Sequence, residues 1–480
     1  DGGGDDIPLN GSPKQSNFGS VVLKSRQLEP VRDLKKSEFP YILTYYEIPA
    51  GKILNIEAGT VVKSYYPNSK ISVNGILNVN GTADNKVVFT SGRDNTLVTD
   101  KFNTVLDSRA GLAQSKDWQG LAFSPGSTAN LFGLDMRYAG KPFRAPGANM
   151  WDSLVSQAVR SDSAMVNIEN STFDNNGDTS IYLSNSTSSI KNTTLDKGQL
   201  AIENYSGSLD LENVNLNNFS GQNGPVYLKN IWPKFSQISF NQNWQNGLFI
   251  DQASITSSVS ITKETPLSLK DITIETTGEL NIESGTLVKL PKYANIFVKG
   301  ILNLNGNHNE PVNLTEAEPL NNYNYWVRLI FDGGKGNFKS ANISGGWGSI
   351  ATYDGFQGMV VVNNGQLSMD DCQLLNSRPP GNALEINNSK ININNSSIGY
   401  IGSKPNFANT NGIKINSGEL ILDNVTLMNL DTGIIAGEVV NLPKLQLNNM
   451  DSRNFVNVNK FWDPSLWYSD FITSTSTTST

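Results

Sequence analysis

One short phrase returns along this chain at a nearly fixed step, and that step narrows the folds open to it. Asn170-Ser171-Thr172-Phe173 is followed by Asn192-Thr193-Thr194-Leu195 and Asn213-Val214-Asn215-Leu216, with asparagine steps of 22 and 21. Each phrase closes an alternating apolar stretch: Val166 and Ile168, then Ile190, then Leu209 and Leu211. Period-two alternation marks a half-buried strand. A short unit of constant length cannot bury its apolar face alone, so it stacks on copies of itself. Helical amphipathic patterning is nearly absent. The one segment that reads as a helix is Trp151 to Arg160, with Leu154, Val155 and Val159.

A second, larger repeat overlies the first. Leu54-Asn55-Ile56-Glu57-Ala58-Gly59-Thr60-Val61-Val62-Lys63 returns as Leu280-Asn281-Ile282-Glu283-Ser284-Gly285-Thr286-Leu287-Val288-Lys289. Gly75-Ile76-Leu77-Asn78-Val79-Asn80-Gly81 returns as Gly300-Ile301-Leu302-Asn303-Leu304-Asn305-Gly306, and Trp118 to Phe123 is echoed by Trp326 to Phe331. The offset falls from 225–226 residues to 208 at the tryptophan, so the first copy carries extra chain between these landmarks. The pattern predicts a tandem duplication with modules at 41–255 and 260–462. Residues 1–40 would form a tether and cap, and residues 463–480 a C-terminal cap and Ser/Thr tail.

Coils of this length, with two or three short strands each, predict an all-β parallel β-helix. Phe173, Leu195 and Leu216 should stack as one apolar ladder, with Leu374, Ile398 and Leu427 as its counterpart in the second module. Asn170, Asn192 and Asn213 are expected at sharp corners, where asparagine tolerates left-handed angles, and stacked asparagines can bond to one another. Asn-x-Ser/Thr sequons occur at Asn80, Asn170, Asn185, Asn192, Asn204, Asn218 and Asn313. In a chain so rich in these residue types, their number carries no weight.

The segments Leu54 to Lys63, Gly75 to Gly81 and Val87-Val88-Phe89-Thr90-Ser91 resemble the entry of right-handed parallel β-helix repeat proteins of bacterial cell surfaces. Asp117-Trp118-Gln119-Gly120-Leu121-Ala122-Phe123 resembles a later segment of the same family, and Val327-Arg328 departs from it by lacking the glycine. The resemblance implies a right-handed β-helix and a lipoprotein-like, secreted protein with a structural or adhesive role at the cell surface. Asp1-Gly2-Gly3-Gly4-Asp5-Asp6 is similar to the tether that follows a lipidated cysteine, so a lipid anchor before residue 1 is one expectation.

Composition excludes several classes. Net charge is −7 with no basic stripe, which argues against a nucleic-acid partner. A single Cys372 and a single His308 rule out an intrachain disulfide and a Cys/His zinc site. No stretch approaches 18 consecutive apolar residues, so no membrane-spanning helix is expected.

β-Helices also carry glycoside hydrolases and polysaccharide lyases, whose chemistry needs paired carboxylates or a base beside bound calcium. Asp370-Asp371 lacks the Gly-His-Gly partner of the hydrolases, and as strand neighbours the two should face opposite ways. Arg137 beside Asp135 reads as an ion pair on a strand face. Asp174 and Asp178 form a partial calcium loop without the downstream Glu; calcium is the one cofactor considered. The expectation is therefore a rod that is not an enzyme. It would bind surface polysaccharide or other cell-surface proteins, or assemble with itself. A carbohydrate-active enzyme and an accessory subunit of an outer-membrane assembly are the alternatives. Binding is expected on the long interruptions Leu97 to Lys116 and Gly140 to Asp162, with Phe143, Arg144 and Trp151 as contact residues. Phe461, Trp462, Trp467 and Tyr468 are expected to cap the last coil.

Overall fold

The computed structural model describes residues 21–23, 31–94, 96, 112–142, 156–317, 326–347, 358–377, 381–400, 410–428, 430, 432–436 and 444–448. The chain divides into two compact units, residues 1–248 and 249–480. Among the described residues both are built from strands alone.

In the first unit each coil supplies strands to three parallel ladders. The first ladder stacks Tyr45–Ile48, Lys70–Val73, Gly120–Phe123 and Gln157–Asp162. It continues through the opening parts of Thr179–Gly198 and Leu200–Phe219 to Val226–Lys229. The second stacks Val31–Leu34, Ile53–Glu57, Ile76–Asn80, Thr128–Phe132 and Met165–Glu169. The third stacks Val21–Leu23, Tyr41–Leu43, Val61–Ser64, Val87–Ser91, Leu134–Arg137 and Thr172–Asp174. These are the ladders of a parallel β-helix, and among the described residues no hairpin joins them.

Alternation decides which side chains go inside. In Ile53–Glu57 only Leu54 and Ile56 are buried, and the residues opposite them in the next coil are Leu77 and Val79. The column continues through Leu131, Ile168, Ile190 and Leu211, each 1% exposed or less. Phe173, Leu195 and Leu216 face one another in register and are fully buried. Parallel pairing holds each inward side chain about 4.8 Å above its equivalent, so like stacks on like.

Corners are made by residues with positive φ. Asn170, Asn192 and Asn213 precede the third ladder with φ of 53°, 47° and 52°. Asn213 Nδ2 donates to Asn192 Oδ1 at 2.9 Å. The next residue tucks its hydroxyl inward: Ser171 Oγ donates to the Glu169 carbonyl at 2.8 Å and Thr193 Oγ1 to the Lys191 carbonyl at 2.7 Å. A second file of asparagine amides, Asn55, Asn78, Asn130 and Asn167, bonds from coil to coil at 2.7–3.0 Å on the outer face of the second ladder.

The second unit repeats this grammar. One ladder runs Ile272–Ile274, Asn295–Val298, Arg328–Asp332, Gly358–Asn363, Gly381–Asn387 and Thr410–Ile415. Another runs Glu279–Glu283, Ile301–Asn305, Lys335–Lys339, Gln366–Asp370, Ser389–Asn394 and Gly418–Asp423. In its third ladder Leu374, Ile398 and Leu427 pair in register and are buried. Trp118 and Trp326 each sit buried at the start of a coil in their own unit. Trp118 Nε1 donates to the Arg137 carbonyl at 2.9 Å and Trp326 Nε1 to the Ser344 carbonyl at 2.8 Å.

Two sequence expectations need correction. The segment read as a helix contributes Gln157–Asp162 to the first ladder, between Gly120–Phe123 and Thr179–Gly198. Register with two neighbours outweighs the weak helical pattern. The extra chain of that insertion therefore ends before Ser156. Asp370 and Asp371 do not share a strand either: Gln366–Asp370 ends at the first, and Asp371 turns the corner with φ of 55°.

Candidate functional site

Turn lengths single out one corner of the coil. Between the first and second ladders the chain needs only short turns, as from Val73 to Ile76 or Asp162 to Met165. Between the third and first ladders the connections run from Ser91 to Gly120 and from Arg137 to Gln157. The second unit is long at its equivalent corner, from Glu316 to Arg328 and from Ser344 to Gly358. Long connections on a rigid scaffold are where binding groups collect. Phe143, Arg144 and Trp151 belong to this corner's connections but lie outside the described residues, as do the C-terminal aromatics 461–468.

In the first unit this corner holds a cavity of about 230 Å³ lined by Ser64, Tyr65, Tyr66, Ser91, Arg93, Lys116, Asp117 and Lys141. Tyr65 and Tyr66 are 41% and 53% exposed and meet edge to face at 4.4 Å. Asp117 is held by Ser91 Oγ at 2.7 Å, the Gln114 amide at 3.1 Å and Arg93 Nη1 at 3.4 Å. Lys116 pairs with Asp178, and Lys141 Nζ reaches the Asn68 amide oxygen at 3.5 Å.

Beneath the same connection lies a buried polar knot. Asp94 is 1% exposed and accepts from Thr90 Oγ1 at 2.7 Å, Thr96 Oγ1 at 2.6 Å and the Thr96 amide at 3.0 Å. Burial pushes its carboxyl up, but the threonine hydrogen bonds and the nearby Arg137 charge outweigh that and hold it below the ordinary aspartate value. Lys63 Nζ donates to the Asp94 carbonyl at 2.9 Å, and Arg137 Nε donates to Asp135 at 3.0 Å. A carboxylate held ionised in this way braces the loop and is a poor proton donor at neutral pH.

The outer face of the first ladder begins beside this corner. Its outward column reads Glu47, Ser72, Ala122, Arg160, Tyr182, Glu203 and Tyr227, one residue per coil. Tyr205 lies two residues along and slots between Tyr182 and Tyr227, with both ring centroids 5.8 Å from its own. Arg160 sits 5.2 Å over the Tyr182 ring, and Tyr205 Oη donates to Glu203 at 2.9 Å. Burial, then the Glu203 hydrogen bond, push the Tyr205 hydroxyl far above the usual tyrosine value, so it stays protonated. These tyrosines escaped the sequence reading, although they recur one coil apart like the asparagine phrases.

Other candidates come out differently. Asp174 bonds Lys197 Nζ at 2.9 Å and Asp178 bonds Lys116, so both carboxylates of the partial calcium loop are paired with lysines. Asn176 of that loop is buried and bridges to the previous coil, accepting from the Ala139 amide at 3.0 Å. Among the described residues no group of three or more His, Cys, Asp or Glu stands ready to hold a metal ion. Asp371 collects Ser340 Oγ at 2.7 Å and His308 Nδ1 at 3.2 Å. The carboxylate lies between serine and histidine, the wrong order for a triad, in which the histidine must take the serine proton.

No family model matches the chain, and no curated protein does. Two solved structures are similar to it. One is the catalytic unit of a thermostable GH87 α-1,3-glucanase from Streptomyces thermodiastaticus strain HF3-3, at 8% identity and a TM-score of 0.23 over 87% of this chain. The other is tailspike protein 3 of bacteriophage CBA120, at 11% identity and a TM-score of 0.21 over 88% of this chain. The chain spans 64% of the first and 57% of the second. The expectation that the chain is not an enzyme is corrected here. One of the two structures similar to it is a catalytic unit, against that expectation. Both likenesses are distant, and the fold assignment rests on this chain's own ladders.

Proposed function

We propose that the protein works at the cell surface as a β-helix that binds polysaccharide along the outer face of the first ladder of its first unit. The observation that carries this reading is the tyrosine stack, Tyr182, Tyr205 and Tyr227, flanked by Arg160 and Glu203. A half-exposed tyrosine ring offers a flat apolar plate to the C–H face of a sugar and a hydroxyl at its rim. Arg160 and Glu203 supply a donor fork and an acceptor for sugar hydroxyls. The coil rise of about 4.8 Å is close to the length of one sugar residue, so successive coils meet successive sugars. Many weak contacts in register add up to useful affinity.

Affinity electrophoresis and calorimetry against a panel of polysaccharides test this reading. Tyr182→Ala and Tyr205→Ala should each weaken the best ligand at least about tenfold, the scale of losing one aromatic anchor. Unchanged retention in both variants, with the fold intact by circular dichroism, would refute it.

A further inference from the structure

We propose that the corner cavity of the first unit is a subsite for an anionic sugar residue, carboxylated or sulfated. The proposal rests on the polysaccharide reading above and adds the charge of the ligand. Three cations, Arg93, Lys116 and Lys141, and one carboxylate, Asp117, line the cavity, in a chain whose formal net charge is −7. Cations gathered in a concave, partly desolvated place focus a positive potential there, against the field of the whole molecule.

The single carboxylate is already satisfied. Asp117 accepts from Ser91, the Gln114 amide and Arg93, so its charge and that of Arg93 largely cancel, and the positive charge left in the cavity is that of the two lysines. Lys141 is in the opposite position. Its ammonium has one contact among the described residues, the neutral Asn68 amide at 3.5 Å, so no described carboxylate neutralises it. Lys116 pairs with Asp178, but both side chains are more than a third exposed, and such a pair opens at little cost. Tyr65 and Tyr66, set edge to face, form an apolar wall against which a sugar ring can rest while its acid group meets the lysines. The volume of about 230 Å³ admits one sugar residue rather than a longer stretch of chain.

The test compares three polymers of matched length, polygalacturonate, dextran sulfate and dextran, by calorimetry on the full chain at low and high salt. At least one anionic polymer should bind at least tenfold more tightly than dextran, and that preference should shrink as salt rises. Lys141→Gln should remove most of it, a loss of about three- to tenfold, and Lys141→Arg should restore it. Tyr66→Ala should weaken the anionic polymers without changing the salt dependence. Equal affinity for dextran and both anionic polymers, with binding still lost in Tyr182→Ala, would overturn the charged subsite and leave the polysaccharide reading standing. An anion preference untouched by Lys141→Gln would also overturn it. If no polymer binds, both proposals fall.

Discussion

Leu195→Ala tests the stacked interior at a single point. Leu195 is fully buried and has Phe173 in the coil on one side and Leu216 in the coil on the other. Truncation removes three carbons, worth roughly 2.4 kcal/mol at about 0.8 kcal/mol for each methylene-sized group. Backbone pairing fixes the coils above and below, so the walls cannot close over the gap. A residual cavity raises the total to about 3–4 kcal/mol. In a stacked array the loss stays near the lesion rather than spreading evenly. Hydrogen exchange by mass spectrometry reads this directly. Amides of 166–219 should exchange about two to three powers of ten faster, at about 1.4 kcal/mol per tenfold, while those in distant coils should change little. The control is the adjacent residue, Thr194→Ala, which points outward and should cost no more than about 0.5 kcal/mol. Equal effects from the two neighbours would refute the alternating, coil-on-coil interior.

Asn192→Ala should cost about 1–2 kcal/mol, because alanine resists the φ of 47° found there, whereas Asn192→Gly should cost less; urea midpoints separate the two. Gly120→Ala should destabilise the first unit by at least about 2 kcal/mol, since φ is 108° and an added Cβ would meet the Ala158 carbonyl at 2.0 Å. Asp94 titrates below its ordinary value, so its contribution is complete above about pH 4 and fades as pH falls through the lower folded value. Asp94→Asn should flatten that acid limb in a pH series of thermal melts and lower stability at neutral pH.

The coil could be read from sequence because its cause is local: alternation in Ile53–Glu57 or Met165–Glu169 follows directly from one face being dry. The register of Phe173, Leu195 and Leu216 was equally visible, since a fixed step carries each residue onto its equivalent. Residues 157–160, read as part of a helix, form strand instead, because spaced apolar residues in a short stretch fit either period and only the neighbouring coils decide between them. The corner cavity was legible only in part. Lys116 and Lys141 fall in the two long interruptions where the sequence places binding, but Tyr65 comes from a third connection, and only the closing of each coil brings them together. The tyrosine stack was only half legible: Tyr182, Tyr205 and Tyr227 recur at steps of 23 and 22, but Tyr205 stands two residues out of register with the other two, and only the fold shows its ring reaching between theirs.

Concentrating the variable lengths at one corner has an evolutionary consequence. Chain can be added or lost between a third-ladder strand and the next first-ladder strand without shifting any pairing, as the unequal connections Ser91 to Gly120 and Leu375 to Gly381 show. The other corners vary far less, from one residue between Phe132 and Leu134 to six between Asn80 and Val87. New specificities can therefore be tried along a single seam, one coil at a time, while the wall behind it stays the same.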